Sequence, residues 1–167
     1  MELMRTRRQL IKNAMALGSL ALTCSFASVV QAAGTDKTIF QRNGLAIDGY
    51  DTVAYFTKGD ALRGEAKFKA DYKGAVWHFM SAENRDLFIA NPKKYAPQYE
   101  GYCAYAAANG AVAKTEPDEW SIVDGKLYLN YNALIKIRWD VSQQEFIKDG
   151  DKKWPGVRPG KETGRAY

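Results

Sequence analysis

Two apolar and aromatic runs, at residues 66–72 and 75–80, lie on either side of Lys73-Gly74, and in the first of them polar residues alternate with apolar ones. A period of two is typical of β-strands that bury one face. Glycine in the connecting pair readily adopts the positive φ that a two-residue turn requires. This pattern therefore predicts a β-hairpin.

A second hairpin is predicted closer to the C-terminus. Residues 120–123 and 127–130 are apolar and aromatic runs separated by Asp124-Gly125, a pair that suits a type I′ turn. A short apolar run at residues 45–47 predicts one further strand, which precedes both hairpins.

Helices are predicted where a capping or breaking residue bounds a suitable segment. Three segments meet this condition: 82–90 after Ser81, 101–110 ending at Gly110, and 133–148 between Asn132 and Asp149-Gly150. Residues 50–56 are dense in aromatic residues without a strict period, which predicts a buried turn or a single helical turn.

These elements predict a single α+β domain over residues 43–156. The two hairpins are expected to form a small antiparallel sheet, which the helices at 82–90 and 133–148 cover. Polar composition predicts a flexible leader at 33–42 and a disordered tail at 157–167, with Trp154 docking back on the core.

The N-terminal residues 1–32 have the pattern of an export signal. Arg7-Arg8 lies in a basic patch before an apolar run at 14–30, and the small residues around Ala32 predict cleavage after it or after Ala33. The paired arginines resemble the bacterial twin-arginine signal, with a Sec signal as the alternative. The run is short for a stable membrane span. We therefore predict a periplasmic protein without a stable membrane anchor after cleavage.

Charge excludes one class of partner. Four basic residues and one acidic residue lie within residues 1–32, so the formal net charge falls from +5 to +2 when they are removed. The remaining charges are interspersed and form no basic stripe that could follow a phosphate backbone. Nucleic acid is therefore not an expected partner.

Three side chains carry the candidate chemistry. Beyond the predicted cleavage point the chain has one histidine, one methionine and one cysteine: His78, Met80 and Cys103. Strand alternation places His78 and Met80 on the same face. Imidazole, thioether and thiolate are the ligands that select Cu(I), whereas structural zinc requires four Cys or His ligands. The residues therefore predict a soft-metal site formed by Cys103, His78 and Met80, with copper as the expected ion.

Two alternatives stay open. In the first, Cys103 is a small buried core residue, Met80 fills a gap in the core and His78 lies half-exposed, so that the protein is a non-metal module for a small ligand or a protein. In the second, Cys103 is an activated nucleophile with His78 as its base and Asp51 or Asp71 as an orienting carboxylate. No recognised nucleophile turn surrounds Cys103, so no catalytic residue is assigned.

The central stretch resembles the YHS domain. The residues that carry this resemblance are Trp77-His78-Phe79-Met80-Ser81, Phe88 and Asn91-Pro92-Lys93-Lys94-Tyr95. They follow the family pattern of an aromatic-x-Phe-x-Ser strand and a helix that ends in a Pro-x-x-Tyr corner. Flanking segments at 49–56, 99–104 and 124–130 resemble the exported bacterial branch of the family, so the resemblance covers about 43–156.

The resemblance implies a metal-binding role, since YHS domains accompany transporters and sensors of copper and other heavy metals. The cysteines proposed as ligands in that family correspond here to Ala54, Met80 and Asn84. A metal site in this chain would therefore have to use its own His78, Met80 and Cys103. On this basis we expect a periplasmic carrier or sensor of copper that works with a periplasmic partner protein, and not a catalyst.

Overall fold

The structure is a computed structural model, which describes residues 39–157. The predicted export signal at 1–32, the first part of the predicted leader at 33–38 and the tail at 158–167 lie outside the described residues.

Four strands form one mixed sheet in the order β1–β2–β4–β3. They are β1 (Gln41–Arg42), β2 (Leu45–Ala46), β3 (Glu65–Tyr72) and β4 (Ala75–Phe79). The antiparallel pair β3–β4 confirms the first predicted hairpin. Strand β2 pairs with β4 in parallel, with Leu45 opposite Val76.

The predicted flexible leader at 33–42 is wrong for its last four residues. Ile39 is 3% exposed, the backbone N–H of Phe40 donates to the carbonyl of Glu100 at 2.9 Å, and the next two residues form β1. An apolar side chain that can reach the core fixes this segment, although its neighbours are polar.

The second predicted hairpin forms a separate two-stranded sheet of β5 (Glu116–Val123) and β6 (Lys126–Asn130). Asp124 and Gly125 have φ of 51° and 71°, as a type I′ turn requires. The α+β class is confirmed, but the single antiparallel sheet is wrong. Strand β4 has β3 on one edge and β2 on the other, so it has no free edge for the second hairpin.

Helices pack on both sheets. They are α1 (Ala54–Thr57), α2 (Ala82–Ala90), α3 (Pro92–Tyr95), α4 (Ala104–Ala108), α5 (Ala133–Val141) and α6 (Gln143–Lys153). Helix α2 has the predicted bounds, and the Ser81 hydroxyl accepts from the Asn84 N–H at 3.1 Å. Short 3₁₀ turns lie at Ile47–Gly49, Gln98–Gly101 and Trp154–Gly156.

The predicted long helix at 133–148 is two helices. The chain leaves helical geometry at Ser142, with φ −146° and ψ 52°, and α6 then continues through Gly150 to Lys153. Gly150 lies inside this helix and does not end it, and the ring of Tyr99 packs against it: a Cβ there would be 2.6 Å from the Tyr99 hydroxyl oxygen.

Two core clusters share β6. Leu127 and Leu129 belong to the cluster that contains Trp77, Phe79 and Phe88. The intervening residue of β6, Tyr128, belongs to a second cluster, whose other members are Tyr99, Ala104, Ala107, Trp139 and Trp154. The docking predicted for Trp154 is confirmed. Within the described residues, no helix has the length and apolar character needed to cross a bilayer.

Candidate functional site

A buried carboxylate holds the end of β4 against two other elements. Asp51 is 0% exposed, and its Oδ1 accepts from the N–H groups of Val53 at 2.9 Å and Ala54 at 3.3 Å. Its Oδ2 accepts from the Met80 N–H at 2.8 Å and from the Asn84 side chain at 2.6 Å. Asp51 therefore joins the start of α1, the end of β4 and the first turn of α2.

His78 lies on the partly exposed side of β4, and Met80 follows the end of this strand at an exposed position. The buried residues of this strand alternate with partly exposed ones, so Trp77 and Phe79 enter the core while His78 remains half-buried. The His78 ring lies beside Gly49, where a Cβ would be 3.8 Å from Nδ1. Met80 is 37% exposed, so the alternative in which it fills a core gap is wrong.

Cys103 occupies different surroundings. It is 1% exposed, clusters with Ala106 and Ile135, and pairs with Leu129 of β6 in an isolated parallel bridge. Its Sγ donates to Asn130 Oδ1 at 3.8 Å. Burial raises the pKa of the thiol above its usual value, and neighbouring backbone N–H groups offset part of that rise. Cys103 is therefore a protonated core residue at neutral pH.

Cys103 lies in a different cluster from the residues of β4. It packs with Ala106 and Ile135 in a cluster that contains no residue of that strand. The described residues contain no group of three or more His, Cys, Asp or Glu arranged to hold a metal ion. The three-donor site of Cys103, His78 and Met80 stays a prediction, in which the thiol is buried whereas Met80 is exposed.

The residues named for the enzyme alternative form no hydrogen bonds with one another among the described residues. Both carboxylate oxygens of Asp51 already accept hydrogen bonds, from Val53, Ala54, Met80 and Asn84. His78 makes no hydrogen bond with Asp51 or Asp71 among the described residues. The raised pKa of Cys103 opposes formation of the thiolate that a nucleophile needs.

Sequence reasoning missed a recess of about 350 Å³ beside the corner that follows α3. The corner contributes most of its lining, and α3, β3, the β3–β4 turn and the segment before β1 contribute the rest. The lining residues are Ile39, Tyr72, Lys73, Lys93, Ala96, Pro97, Gln98, Tyr99 and Glu100. The only sequence signal for it is the Pro-x-x-Tyr corner with a second proline soon after, and that signal marks a turn without indicating a cavity.

An unusual backbone forms one wall of this recess. Tyr99 and Glu100 have φ of 54° and 52°, and Gly101 follows at 83°. Left-handed geometry is costly for residues with a Cβ, so surrounding contacts must hold it. The Tyr99 hydroxyl donates to Asp151 at 3.1 Å, and the Trp154 indole N–H donates to the Glu100 carboxylate at 2.5 Å.

Positive charge exceeds negative charge around the recess. Lys73 Nζ lies 3.8 Å from Glu100 Oε1, so these two charges offset each other. Lys93 is exposed and forms no ion pair with any residue of the described part of the chain. The recess therefore carries one uncompensated positive charge.

Comparison with known proteins gives one match. No curated protein and no solved structure matches the chain. The family model that matches covers residues 53–99. This segment includes His78, Met80 and most of the recess lining, and Cys103 lies beyond its end. The wider resemblance over 43–156 and the exported branch stay predictions. The chain therefore contains a YHS domain at residues 53–99.

Proposed function

We propose that the protein is a non-catalytic binding module that takes a small ligand in the recess beside Gln98–Gly101. The observation that carries this proposal is the recess itself, at about 350 Å³. Ligand sites are typically concave, partly apolar and equipped with a few polar groups. The recess combines buried Ile39 and Pro97 with the charged groups of Lys73 and Lys93.

The position of Cys103 supports this proposal over a three-donor metal site. A metal ligand must lose its proton and reach the ion, but this thiol is 1% exposed and its pKa is raised by burial. The same properties support a binding module over a cysteine-dependent enzyme.

Nuclear magnetic resonance tests the proposed site directly. Isotope-labelled protein from the full-length chain is titrated with small fragments of mixed charge, and the shifted backbone amides are mapped. We expect the shifts to cluster at Lys73, Lys93, Gln98 and Glu100, while those of the exposed stripe Leu134 and Ile137 on α5 stay unchanged. Shifts that scatter over the surface, or that cluster elsewhere, would refute the proposal.

Copper binding is the second candidate, and one observation favours it. His78 on the partly exposed side of β4 and the exposed Met80 that follows this strand are two positions apart within the matched YHS segment, and Cu(I) accepts two soft ligands. We propose that such a site would use these two donors alone.

An anaerobic Cu(I) titration against a chelator separates the versions of this candidate. A two-donor site predicts loss of binding in His78→Ala and in Met80→Leu, with Cys103→Ser unchanged. A three-donor site that also includes Cys103 predicts that Cys103→Ser abolishes binding as well. Equal, weak binding in the unmodified protein and all three variants would exclude copper as the ligand.

We also propose that the protein acts in the periplasm after export by the twin-arginine route, where a partner protein delivers or receives its ligand. The support is the pattern of residues 1–32. Arg7→Lys with Arg8→Lys should leave unprocessed protein in the cytoplasm, as cell fractionation would show. Unimpaired export of this variant would instead indicate the Sec route.

A further inference from the structure

We infer that the recess selects a small organic carboxylate over neutral and cationic ligands of the same shape. This inference rests on the proposed small-ligand function and adds the chemical class of the ligand. It concerns the lining residues of the recess and does not involve His78, Met80 or Cys103.

The charge balance of the lining is the first argument. Among the described residues, Glu100 is the only acidic one in the recess lining, and its Oε1 lies 3.8 Å from Lys73 Nζ. Its Oε2 accepts from the Trp154 indole. With Glu100 engaged in this way, Lys93 supplies a cation without a counterion in the described part of the chain. A single negative charge on the ligand would restore neutrality.

The depth of the lining is the second argument. Ile39 and Tyr99 are 3% and 7% exposed and Pro97 is buried, whereas Lys93 is exposed. The apolar side chains are therefore the buried part of the lining, and Lys93 is its exposed part. This order suits a ligand with an apolar body and a charged end.

The fixed backbone is the third argument. Tyr99 and Glu100 adopt left-handed geometry, which their bonds to Asp151 and Trp154 maintain. A wall held on its outer side by α6 and the following turn is ordered before a ligand arrives. Pre-organisation of this kind reduces the entropic cost of binding.

Three isosteric probes test the charge preference. Benzoate, benzamide and benzamidine have nearly the same shape and carry negative, zero and positive charge. Titrations of full-length protein followed by resonance shifts of the recess amides should give the affinity order benzoate, benzamide, benzamidine. We expect each step to be about three- to fivefold, as for a partly exposed charge.

Two neighbouring lysines provide a matched pair of variants. Lys93→Gln should lower the affinity for benzoate about three- to fivefold and leave the affinity for benzamide unchanged. Lys94→Gln should change neither, because Lys94 lies outside the lining and instead covers the ring of Tyr95 at 4.9 Å. Glu100→Gln should raise the affinity for benzoate, since it removes the negative charge beside Lys73 and retains an oxygen that can accept from the Trp154 indole.

The outcomes separate this inference from the proposed function. Equal binding of benzoate and benzamide at the recess, unchanged in Lys93→Gln, would overturn the carboxylate preference and leave the small-ligand function intact. Preference for benzamidine would overturn it as well, and would make Glu100 the dominant charge. If none of the three probes shifts the recess amides, the inference is overturned. Titration with other fragments still tests the proposed small-ligand function.

Discussion

Asp51 links the end of β4 to elements that lie far from it in the sequence. Its acceptors bind Met80 and Asn84, which follow it by 29 and 33 residues. Each bond to a buried, charged acceptor stabilises the fold by about 1.5–3 kcal/mol. The backbone position of Met80 thus depends on a carboxylate whose importance no local pattern in the sequence indicates.

Replacing this carboxylate should be costly. In Asp51→Asn one acceptor becomes an N–H donor that faces the donors of Val53 or Met80, so we expect a loss of about 2–4 kcal/mol in the free energy of unfolding. Asp71→Asn, at an exposed position of β3, should change it by less than about 0.5 kcal/mol. Urea unfolding at neutral pH measures both. Equal effects of the two substitutions would show that the hydrogen bonds of Asp51 do not hold these elements together.

Burial of Cys103 makes a contribution to stability that depends on pH. Its pKa is raised above the ordinary value of 9.0 by burial, so above that pH the unfolded chain loses the proton while the folded protein keeps it. The contribution is complete below the unfolded pKa and is lost as pH rises towards the folded pKa.

The difference in stability between the unmodified protein and Cys103→Ala should show this dependence. We expect a constant difference up to about pH 8.5 and then a fall of up to about 1.4 kcal/mol per pH unit. Burial raises the pKa of Tyr128 to about 12, but this residue is present in both proteins and its effect cancels. The measurement is urea unfolding under reducing conditions across this range. A difference that does not vary with pH would mean that Cys103 is accessible to solvent.

Elements with local signals were predictable, and those fixed by distant contacts were not. The β3–β4 turn and the cap at Ser81 depend on neighbouring residues, so the first hairpin and α2 have the expected places. The parallel pairing of Leu45 with Val76 depends on residues about thirty positions apart and has no local signal. The packing of Gly150 of α6 against Tyr99 likewise joins residues that lie far apart in sequence.

Gly150 offers a test in which tertiary contact opposes helix propensity. Alanine is favoured over glycine within a helix by about 1 kcal/mol, yet a Cβ at this position would lie 2.6 Å from the Tyr99 hydroxyl oxygen. That hydroxyl is held by Asp151 and cannot withdraw freely. We expect Gly150→Ala to lower the free energy of unfolding by about 1–3 kcal/mol.

Thermal or urea unfolding measures this change, with Lys148→Ala as the control at an exposed position of the same helix. The control should stay within about 0.5 kcal/mol of the unmodified protein. Stabilisation by Gly150→Ala would show that propensity prevails and that α6 can move away from Tyr99.

At the scale of the whole molecule, the corner at Gln98–Gly101 leads the chain from the YHS segment to Cys103 and α4. Strand alternation predicts that His78 and Met80 share a face, because a period of two is a local property. The left-handed residues Tyr99 and Glu100 are not indicated by their residue types, so the recess that they line could not be predicted.

Strand β6 joins the two core clusters, because Leu127 and Leu129 enter one cluster and Tyr128 enters the other. Both faces of this strand are buried. A strand buried on both faces transmits the loss of either cluster to the other, so we expect the described residues to unfold in a single cooperative transition.

Leu129→Ala tests this coupling. Leu129 is 0% exposed, and removing its buried side chain should cost about 2–5 kcal/mol. Tryptophan fluorescence, which reports on Trp77 in one cluster and Trp139 in the other, and far-ultraviolet circular dichroism should give the same lowered midpoint. Leu134→Ala is the matched control, since Leu134 is 58% exposed and its loss should cost less than about 0.5 kcal/mol. Two separate transitions in Leu129→Ala would mean that the clusters fold independently, because a shared strand could not then be coupling them.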